Sequence, residues 1–425
     1  MSPLPRHLLP DTATVEADGS LSVGGLGLLD LAAEFGTPLF VYDEAHLRAR
    51  CREGVAAFGD GVAYASKAFL CLAMARLAHD EGMWIDVATG GELHVALAAG
   101  VPAARCVLHG NNKSLDELRT ALAAGIGRVV VDSFDELDRL DRLAAEGLAA
   151  PAVLIRVTPG IEAHTHEFVR TGQEDSKFGF GWHSGVAAEA VARARASASV
   201  ELVGLHVHIG SQVFVAENYA AAIDVVAPLA REHDLPEFCI GGGLGVAYVA
   251  GEEAPTISQW AKVVRDECRR AGVPGRVTAE PGRSIVATAG MTLYTVGTIK
   301  EIPGVRTYVS VDGGMSDNPR PVLYGSGYET FLPRSVGADR PARVRVVGKH
   351  CESGDLLVRK AKVPDDLAVG DVLATPVTGA YGHSMGSNYN KVPRPAVVFV
   401  ADGRARVVVR RETFDDLVSR DVPVA

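Results

Sequence analysis

Short apolar runs alternate with Ala- and Leu-rich stretches from about residue 61 to residue 285, and a turn marked by Gly or Asn follows most runs. Runs of this length bounded by turn signals indicate buried strands, whereas apolar positions three or four residues apart indicate helices. The eight predicted strands are VAYAS (62–66), WIDVA (84–88), CVLHG (106–110), RVVVD (128–132), VLIRV (153–157), LVGLHVHIG (202–210), EFCIGG (237–242) and RVTAE (276–280). One helix between them begins at Ser114 with Glu117 three residues on, which predicts a capping box, and has Gly125 at its end.

This alternation predicts an α/β fold, since eight strand–helix pairs over about 220 residues match a (β/α)8 barrel. A doubly wound open sheet is the alternative, but GGGLGVAY lacks the third glycine of a dinucleotide-binding fingerprint. After about residue 286 the chain is strand-rich, with Asp402-Gly403 as a hairpin turn, and the first 40 or so residues are strand-like too. We therefore predict a barrel over residues 45–285 and a mostly β domain, sandwich- or barrel-like, from residues 1–44 and 286–425.

Composition narrows the class of protein. The 425 residues are 47% hydrophobic and 22% charged, enough for a large core. A net charge of −10 and a pI near 5.7 argue against a nucleic-acid partner. No stretch of about 18 apolar residues predicts a membrane span, and the N-terminus lacks a basic-then-apolar signal region, so we expect a cytoplasmic protein.

The six cysteines argue against a zinc ribbon or a disulfide framework, because none forms C-x-x-C and none lies close to another in sequence. Most lie in apolar runs and are expected to be buried. Cys351 differs, because its neighbours in KHCESGD (349–355) are polar.

Active residues of a barrel come from the C-terminal ends of its strands and the loops that follow. These ends carry Lys67, Asp86, His109, Arg156, His208, Ser211, the GGGLG loop (241–245) and EPGR (280–283). Lys67 is either a lysine with its head group in solvent or a partly desolvated amine with a lowered pKa, suited to Schiff-base chemistry.

The loops GGGLG and EPGR follow the last two predicted strands, where barrel enzymes frequently bind phosphate through exposed backbone N–H groups. Two ordinary glycine turns are the simpler interpretation of either loop alone. A lysine that can bind a carbonyl group, together with loops that can bind a phosphate, suggests one cofactor, pyridoxal 5′-phosphate.

His206 and His208 alternate and therefore share a face of the sixth strand. A metal site is one interpretation, with Asp86 and His109 as further ligands. Stacking of one histidine on a flat cofactor ring is the alternative we favour, the other being a hydrogen-bonded core residue. A second pair, His164 and His166, is predicted to lie in a loop on the surface or facing substrate.

Seven motifs occur in an order that resembles the diaminopimelate decarboxylase family, from TPLFVYDE to RRETFDDLVSRDV. They are YASKAF, HVHIGSQ, GGGLG, EPGRSIVA, SVDGGMSDNPRPVLYG, KHCESGD and GAYGHSMGSNYN. This family belongs to the pyridoxal phosphate-dependent barrel decarboxylases (fold type III), with ornithine and arginine decarboxylases as relatives. It catalyses the last step of bacterial lysine synthesis, the conversion of meso-2,6-diaminopimelate to L-lysine and CO2.

The resemblance implies a role for each motif residue. Lys67 would form the Schiff base, His208 would stack on the pyridine ring, Asp86 would lie near the lysine, and Glu280 would pair with the pyridine nitrogen. The phosphate would be held by Ser211, Gly243, Gly282, Arg283 and Tyr381. The substrate's carboxylates and distal amine would meet Arg283, Arg320, Tyr324, Glu352 and Tyr381. No metal is expected.

KHCESGD would come from the other subunit of a homodimer, so that each active site is shared. Cys351 would then protonate the carbon after CO2 leaves, since a thiol with a pKa near 8.5 is a plausible acid at neutral pH. The residues implied to be catalytic are thus Lys67, His208, Glu280 and Cys351. A carboxylate at Glu280 also favours a decarboxylase over racemases of related fold, which place an arginine there.

Three other functions are considered. One is the same chemistry on another basic amino acid or a carboxylated polyamine, although the loop EAHTHEFVRTGQEDSKFG (162–179) resembles the diaminopimelate type. A second is a non-catalytic pyridoxal phosphate-binding relative, although such proteins tend to lack the lysine, the cysteine or the β domain. The third is a metal-dependent hydrolase using His206 and His208, which leaves EPGR and KHCESGD unexplained.

Overall fold

The structure is a computed structural model that describes residues 4–161 and 175–424. Its strands are β1 (Thr14–Val15), β2 (Leu21–Val23), β3 (Leu26–Gly27), β4 (Leu39–Asp43), β5 (Ala63–Ala65), β6 (Trp84–Val87), β7 (Cys106–Leu108), β8 (Arg128–Val131), β9 (Ala152–Thr158), β10 (Phe180–Gly181), β11 (Glu201–Val207), β12 (Glu237–Cys239), β13 (Arg276–Thr278), β14 (Gly290–Ile302), β15 (Arg306–Val311), β16 (Ala342–Val347), β17 (Leu356–Val363), β18 (Val372–Pro376), β19 (Ala396–Ala401) and β20 (Arg404–Val409).

Its α-helices are α1 (Leu28–Phe35), α2 (Glu44–Phe58), α3 (Leu72–Asp80), α4 (Gly90–Ala98), α5 (Leu115–Ala124), α6 (Phe134–Ala145), α7 (Val186–Ala196), α8 (Asn218–Glu232), α9 (Ile257–Arg270), α10 (Arg283–Val286), α11 (Arg320–Tyr324) and α12 (Phe414–Val418). The chain divides into two units. The barrel unit comprises residues 50–246 and 254–285, and the β-rich unit comprises the residues up to 49, 247–253 and 286 onward.

The barrel unit is built on a parallel sheet in the order β5-β6-β7-β8-β9-β11-β12-β13, and the short strand β10 pairs with β9. Its two edges meet, because the Ala63 amide donates to the Ala279 carbonyl at 2.9 Å and the Ala65 amide donates to the Pro281 carbonyl at 3.1 Å. The predicted (β/α)8 barrel is therefore confirmed.

The barrel strands are short and almost entirely buried, as expected where helices cover a parallel sheet. Seven of the strands each contribute one residue to a single hydrophobic cluster, made of Ala63, Trp84, Val107, Val130, Leu154, Val203 and Cys239. The predicted capping box of α5 is also confirmed: the Ser114 hydroxyl accepts from the Glu117 amide, the Glu117 carboxylate accepts from the Ser114 amide, and Gly125 ends the helix in the left-handed conformation. Local sequence signals thus place the barrel elements correctly.

The β-rich unit contains a sheet in the order β17-β16-β15-β14-β4-β19-β20, with β18 also paired to β14, and a small sheet of β1, β2 and β3. The predicted hairpin is confirmed, because β19 and β20 are antiparallel and Asp402 (φ 50°) and Gly403 (φ 70°) form the turn between them. Residues 247–253, which the sequence analysis placed in the barrel, cluster with this unit.

The cysteines follow the sequence-based expectation. All six are free; Cys51, Cys106, Cys239 and Cys268 are buried, Cys71 is half-buried, and Cys351 is exposed. Among the described helices, none is both long and apolar enough to cross a membrane. His164, His166 and most of the 162–179 loop lie outside the described residues.

Asp317 is a buried carboxyl group in the β-rich unit, 2% exposed. Its Oδ2 accepts from the Tyr294 hydroxyl at 2.5 Å, and its Oδ1 accepts from the Gly314 amide at 2.8 Å. Burial raises the pKa of Asp317 to about 7, against the effect of these two hydrogen bonds and with smaller contributions from Asp355 and Asp312. The native state therefore keeps a proton at pH values where an unfolded chain has released it.

We expect this proton to make stability fall as pH rises. An unfolded aspartate has a pKa of about 3.9, so between about pH 4 and 7 the native state binds more protons than the unfolded state, and the free energy of unfolding declines through that window. Asp317→Asn removes the titration, so its melting temperature should change less between pH 5 and 7.5 than that of the unmodified protein. Asp402→Asn, an exposed substitution in the same unit, should keep the original slope. Equal slopes for Asp317→Asn and the unmodified protein would contradict the assignment.

Candidate active site

Lys67 lies in a 3-10 turn, Ser66–Ala68, directly after β5. Its side chain is exposed, whereas Ser66, Ala68 and Phe69 beside it are buried. Of the two interpretations considered for Lys67, the exposure of the residue agrees with a head group in solvent.

Asp86 and His208 lie within the electrostatic reach of Lys67. Asp86 is on β6 and is 7% exposed; burial raises its pKa to about 6, although His109 and Lys67 act in the opposite direction. Burial holds the pKa of His208 well below its usual value, and the charges of Lys67 and Arg156 lower it further. The strand ends thus bring a lysine, a carboxyl group and a neutral imidazole together.

Glu280 is held between two histidines inside the barrel. His109 Nε2 lies 2.8 Å from Glu280 Oε1, and His206 Nε2 lies 2.9 Å from Glu280 Oε2. His109 also approaches Asp86, with 3.7 Å between Nε2 and Oδ1. All four side chains are buried.

Burial would raise the pKa of Glu280, but His109 and His206 outweigh it and hold that pKa well below the usual range. Burial would also lower the pKa of His109, but the carboxylates of Asp86 and Glu280 outweigh it and raise that pKa. The pKa of His206 is lowered, chiefly by burial. The contacts in the cluster therefore favour an ionised Glu280, a protonated His109 and a neutral His206.

His208 is half-buried, and its Nδ1 accepts a hydrogen bond from the Gly242 amide at 3.3 Å. This contact fixes the ring orientation and leaves the proton of the neutral ring on Nε2. A neutral, oriented imidazole is suited to stacking on a flat ring.

The glycines of the two predicted phosphate loops allow close approach of backbone to backbone. Gly243 has φ +103°, and a Cβ there would lie 2.1 Å from the Gly210 carbonyl oxygen. At Gly282 a Cβ would lie 2.8 Å from both the Ala65 oxygen and the Ala65 Cβ. Larger residues would push apart the loops after β11, β12 and β13 and strand β5, which precedes Lys67.

Arg283 and Ser211 lie together beside these loops. Arg283 Nη2 donates to Ser211 Oγ at 2.7 Å, and Arg283 is 8% exposed. A guanidinium group, a hydroxyl group and glycine backbone together form a donor set that binds phosphate. With an exposed lysine after β5 and a neutral histidine after β11, these residues fit a cofactor that carries a phosphate, an aldehyde and a flat ring.

His206 and His208 do not share a partner. His208 contacts the Gly242 amide, whereas His206 contacts Glu280. Within residues 4–161 and 175–424, the group spaced like a metal site is His109, His206 and Glu280, whose nitrogen and oxygen atoms lie within 4.8 Å of one another. In the structure these three are joined directly by hydrogen bonds.

The β-rich unit holds the remaining predicted residues, beginning with Arg320 on α11. Arg320 is 4% exposed, and its Nη1 donates to the Tyr328 hydroxyl at 2.5 Å. Its guanidinium carbon lies 4.1 Å from the ring centre of Tyr248. Despite burial, the nearby tyrosines raise the pKa of Arg320, so it is a permanent and rigidly held cation.

KHCESGD forms a loop around the carboxylate of Asp355. Asp355 accepts from the Met315 amide at 2.7 Å and from the His350 amide at 2.9 Å, and it is buried. Cys351 and Glu352 at the top of the loop are exposed. The loop held by Asp355 therefore presents the thiol of Cys351 and the carboxylate of Glu352 on the surface of this unit.

Tyr381 and Tyr324 lie in the same unit. Tyr381 has φ 60°, an uncommon conformation for a residue other than glycine, and its electrostatic effect reaches Arg320. Tyr324 is half-buried at the end of α11. Backbone strain at Tyr381 is typical of a functional position.

Sequence reasoning missed several partners. It noted His109 as a strand-end residue but not as a partner of Glu280, and it left His206 as a core residue. It also passed over Tyr248 and Tyr328 beside Arg320. The H-x-H spacing was the available signal for His206, whereas no spacing links Tyr248 to Arg320 because 71 residues separate them along the chain.

Comparisons with known proteins identify the family of the chain. The family described as pyridoxal-dependent decarboxylase, pyridoxal binding domain, matches residues 44–287. A diaminopimelate decarboxylase of Mycobacterium tuberculosis is 47% identical, over 99% of this chain and 98% of its own length. One of Bacillus subtilis is 45% identical, over 98% of both. The crystal structure of diaminopimelate decarboxylase from M. jannaschii in co-complex with L-lysine has a TM-score of 0.90 at 32% identity, covering 97% of this chain and 98% of that chain. The chain therefore belongs to the diaminopimelate decarboxylase family of pyridoxal-dependent decarboxylases.

Proposed function

We propose that the chain converts meso-2,6-diaminopimelate to L-lysine and CO2, the last step of lysine biosynthesis, with pyridoxal 5′-phosphate bound in the barrel unit. The observation that carries the proposal is the grouping of Lys67, Asp86, His208 and Glu280 at the strand ends of a chain nearly half identical to such enzymes over its full length. Pyridoxal phosphate supplies an electron sink for the electron pair left when a carboxylate departs as CO2.

Lys67 holds the cofactor covalently through its Nζ. The exposed side chain stands at the end of β5, and its own charge acts on Asp86 and His208. A lysine amine is the group that binds an aldehyde carbon in this way. Asp86, whose pKa is about 6, supplies a carboxyl group near Lys67.

The phosphate is held by Arg283 and Ser211, with the backbone of Gly243 and Gly282 and the hydroxyl of Tyr381. Support comes from the hydrogen bond of 2.7 Å between Arg283 and Ser211 and from the close backbone approach at both glycines. His208 covers one face of the ring as a neutral imidazole.

Glu280 accepts a hydrogen bond from the protonated ring nitrogen of the cofactor. Its pKa is held well below the usual range, so it is a carboxylate at neutral pH. A negative charge there keeps the ring nitrogen protonated, which favours loss of CO2 over racemisation.

Cys351 donates the proton that replaces CO2, and Glu352 binds the distal amine of the substrate. Arg283, Arg320, Tyr324 and Tyr381 bind its carboxylates. Membership of the diaminopimelate decarboxylase family supports assigning Cys351 and Glu352 to the active site of the other subunit in a homodimer, and their exposure is compatible with that role. A cytoplasmic location remains part of the proposal.

The test is CO2 release from meso-diaminopimelate beside lysine, ornithine and arginine. Turnover should be confined to diaminopimelate, because the distal carboxylate, amine and stereocentre are what the charged groups recognise. Preference for another basic amino acid would assign the chain to that substrate, and tight cofactor binding without any CO2 release would make it a non-catalytic relative.

A further inference from the structure

The carboxylate of Glu280 is a buried charged group at the strand ends, 7% exposed. Each of its oxygens is bonded to a different histidine, His109 from the end of β7 and His206 from β11, and the two rings lie 5.0 Å apart in an edge-to-face arrangement. Three separate strands thus converge on one side chain. This convergence exceeds what packing of the barrel requires.

We propose that His109 and His206 are positioning residues that keep Glu280 ionised and fix the plane of its carboxylate against the ring nitrogen of the cofactor. The inference rests on the proposed function, in which Glu280 pairs with that nitrogen. That pairing needs Glu280 to be an ionised carboxylate, and the two histidines keep it so.

A buried carboxyl group without donors takes up a proton, because burial disfavours its charged form. A protonated Glu280 would donate to the ring nitrogen and leave it neutral. Two N–H groups at 2.8 and 2.9 Å oppose this, since they stabilise only the carboxylate. With one donor on each oxygen, the carboxylate cannot rotate without losing both hydrogen bonds.

The two histidines differ in their surroundings. His109 faces a second carboxylate, Asp86, at 3.7 Å, which raises its pKa and favours the protonated ring. His206 is 1% exposed, and among the described residues its Nδ1 has no hydrogen-bond partner, which fits a neutral ring with its proton on Nε2.

Other charges also act on the cluster. Arg156 on β9 acts on both histidines, and Lys67 after β5 acts on Asp86. The charges of Asp86 and His109 offset each other, so Glu280 retains a net negative charge for the ring nitrogen.

The experiment measures the protonation of that nitrogen directly. Apoprotein is loaded with pyridoxal phosphate labelled with ¹⁵N in the ring, and the ¹⁵N chemical shift is recorded at pH 7.5. The unmodified protein should show a protonated nitrogen. His206→Leu and His109→Leu, which remove one donor each, should shift the signal toward the neutral value, whereas His206→Gln, which keeps an N–H near Nε2, should retain most of the protonated signal.

The expected loss follows from the pKa of the ring nitrogen. Once that pKa lies below the pH, each unit by which it falls lowers the protonated fraction about tenfold, and kcat should fall with it while KM changes little. His79→Leu replaces a half-buried histidine of the same unit and controls for loss of stability. It should leave the ¹⁵N signal unchanged at a comparable melting temperature.

Glu280→Ala distinguishes the positioning role of the two histidines from the pairing of Glu280 with the ring nitrogen. If it abolishes protonation but both histidine variants retain it, the positioning role is overturned and the proposed function stands. If the nitrogen is neutral in the unmodified protein, or stays protonated in Glu280→Ala, the pairing of Glu280 itself is wrong and the positioning role falls with it.

Discussion

Lys67→Ala is expected to abolish covalent cofactor binding and to lower turnover by about a thousandfold or more, because the variant lacks the amine that holds the aldehyde carbon. Borohydride reduction of the loaded, yellow protein should attach the cofactor irreversibly to Lys67, and peptide mapping locates the label. The variant should yield no labelled peptide, although the phosphate and ring contacts still allow weak, reversible binding.

Lys262→Ala provides a matched control, because Lys262 is an exposed lysine of the same unit that pairs with Asp266 at 2.7 Å on α9. Its labelling and turnover should equal those of the unmodified protein. A reduced adduct on any other lysine, or a labelled Lys67→Ala protein, would remove Lys67 from its assigned role.

Cys351→Ala should bind the cofactor normally yet lose about a hundredfold to ten-thousandfold in kcat, the usual range for loss of a general acid. The thiol is exposed, and the hydrogen bonds to Asp355 that hold its loop do not involve the side chain of Cys351. The loop should therefore keep its conformation, as a circular dichroism spectrum and an unchanged melting temperature would show.

Lys349→Ala, an exposed change two residues before Cys351 in the same loop, is the control and should leave kcat within about twofold. A normal kcat for Cys351→Ala would show that another group donates the proton.

Mixing the inactive Lys67→Ala and Cys351→Ala proteins tests whether the two subunits share each active site. If subunits exchange at random, half of the dimers are hybrids and one of the two sites in each is intact, so about a quarter of the sites should recover. Native mass spectrometry of variants of different mass would establish the exchange. Exchange without recovered activity would place Cys351 and Lys67 of one subunit in the same site.

The barrel was predictable because its signals are local. Strand β6 was expected at 84–88 and is found at Trp84–Val87, and β8 was expected at 128–132 and is found at Arg128–Val131. Such runs must be apolar because helices cover both faces of a parallel sheet. The α5 capping box was equally visible, since all its atoms come from residues three positions apart.

The site was only partly predictable. The order of the strands implies that Lys67, Asp86 and Glu280 lie at the same end of the barrel, because parallel strands all run in the same direction. It does not imply that Lys67 is exposed, because the solvation of a side chain depends on the packing of segments far away in sequence. Nor does it imply that Glu280 takes hydrogen bonds from His109, since 171 positions separate the two.

In the β-rich unit, too, some features were predictable from the sequence and others depend on tertiary packing. That Cys351 differs from the other cysteines was evident from its polar neighbours, and its exposure agrees. That Arg320 stacks on Tyr248 depends on residues 247–253 clustering with this unit, which no local pattern indicates.

The sequence by itself determined the periodic elements, the barrel topology and the residue types at the strand ends, because these follow from local hydrophobic patterning and the fixed direction of parallel strands. Only the tertiary structure decided which groups share protons and charge, as in the contacts of Glu280 with His109 and His206. Hydrogen bonds act over about 3 Å and pKa shifts depend on burial, and both are set by how distant segments pack.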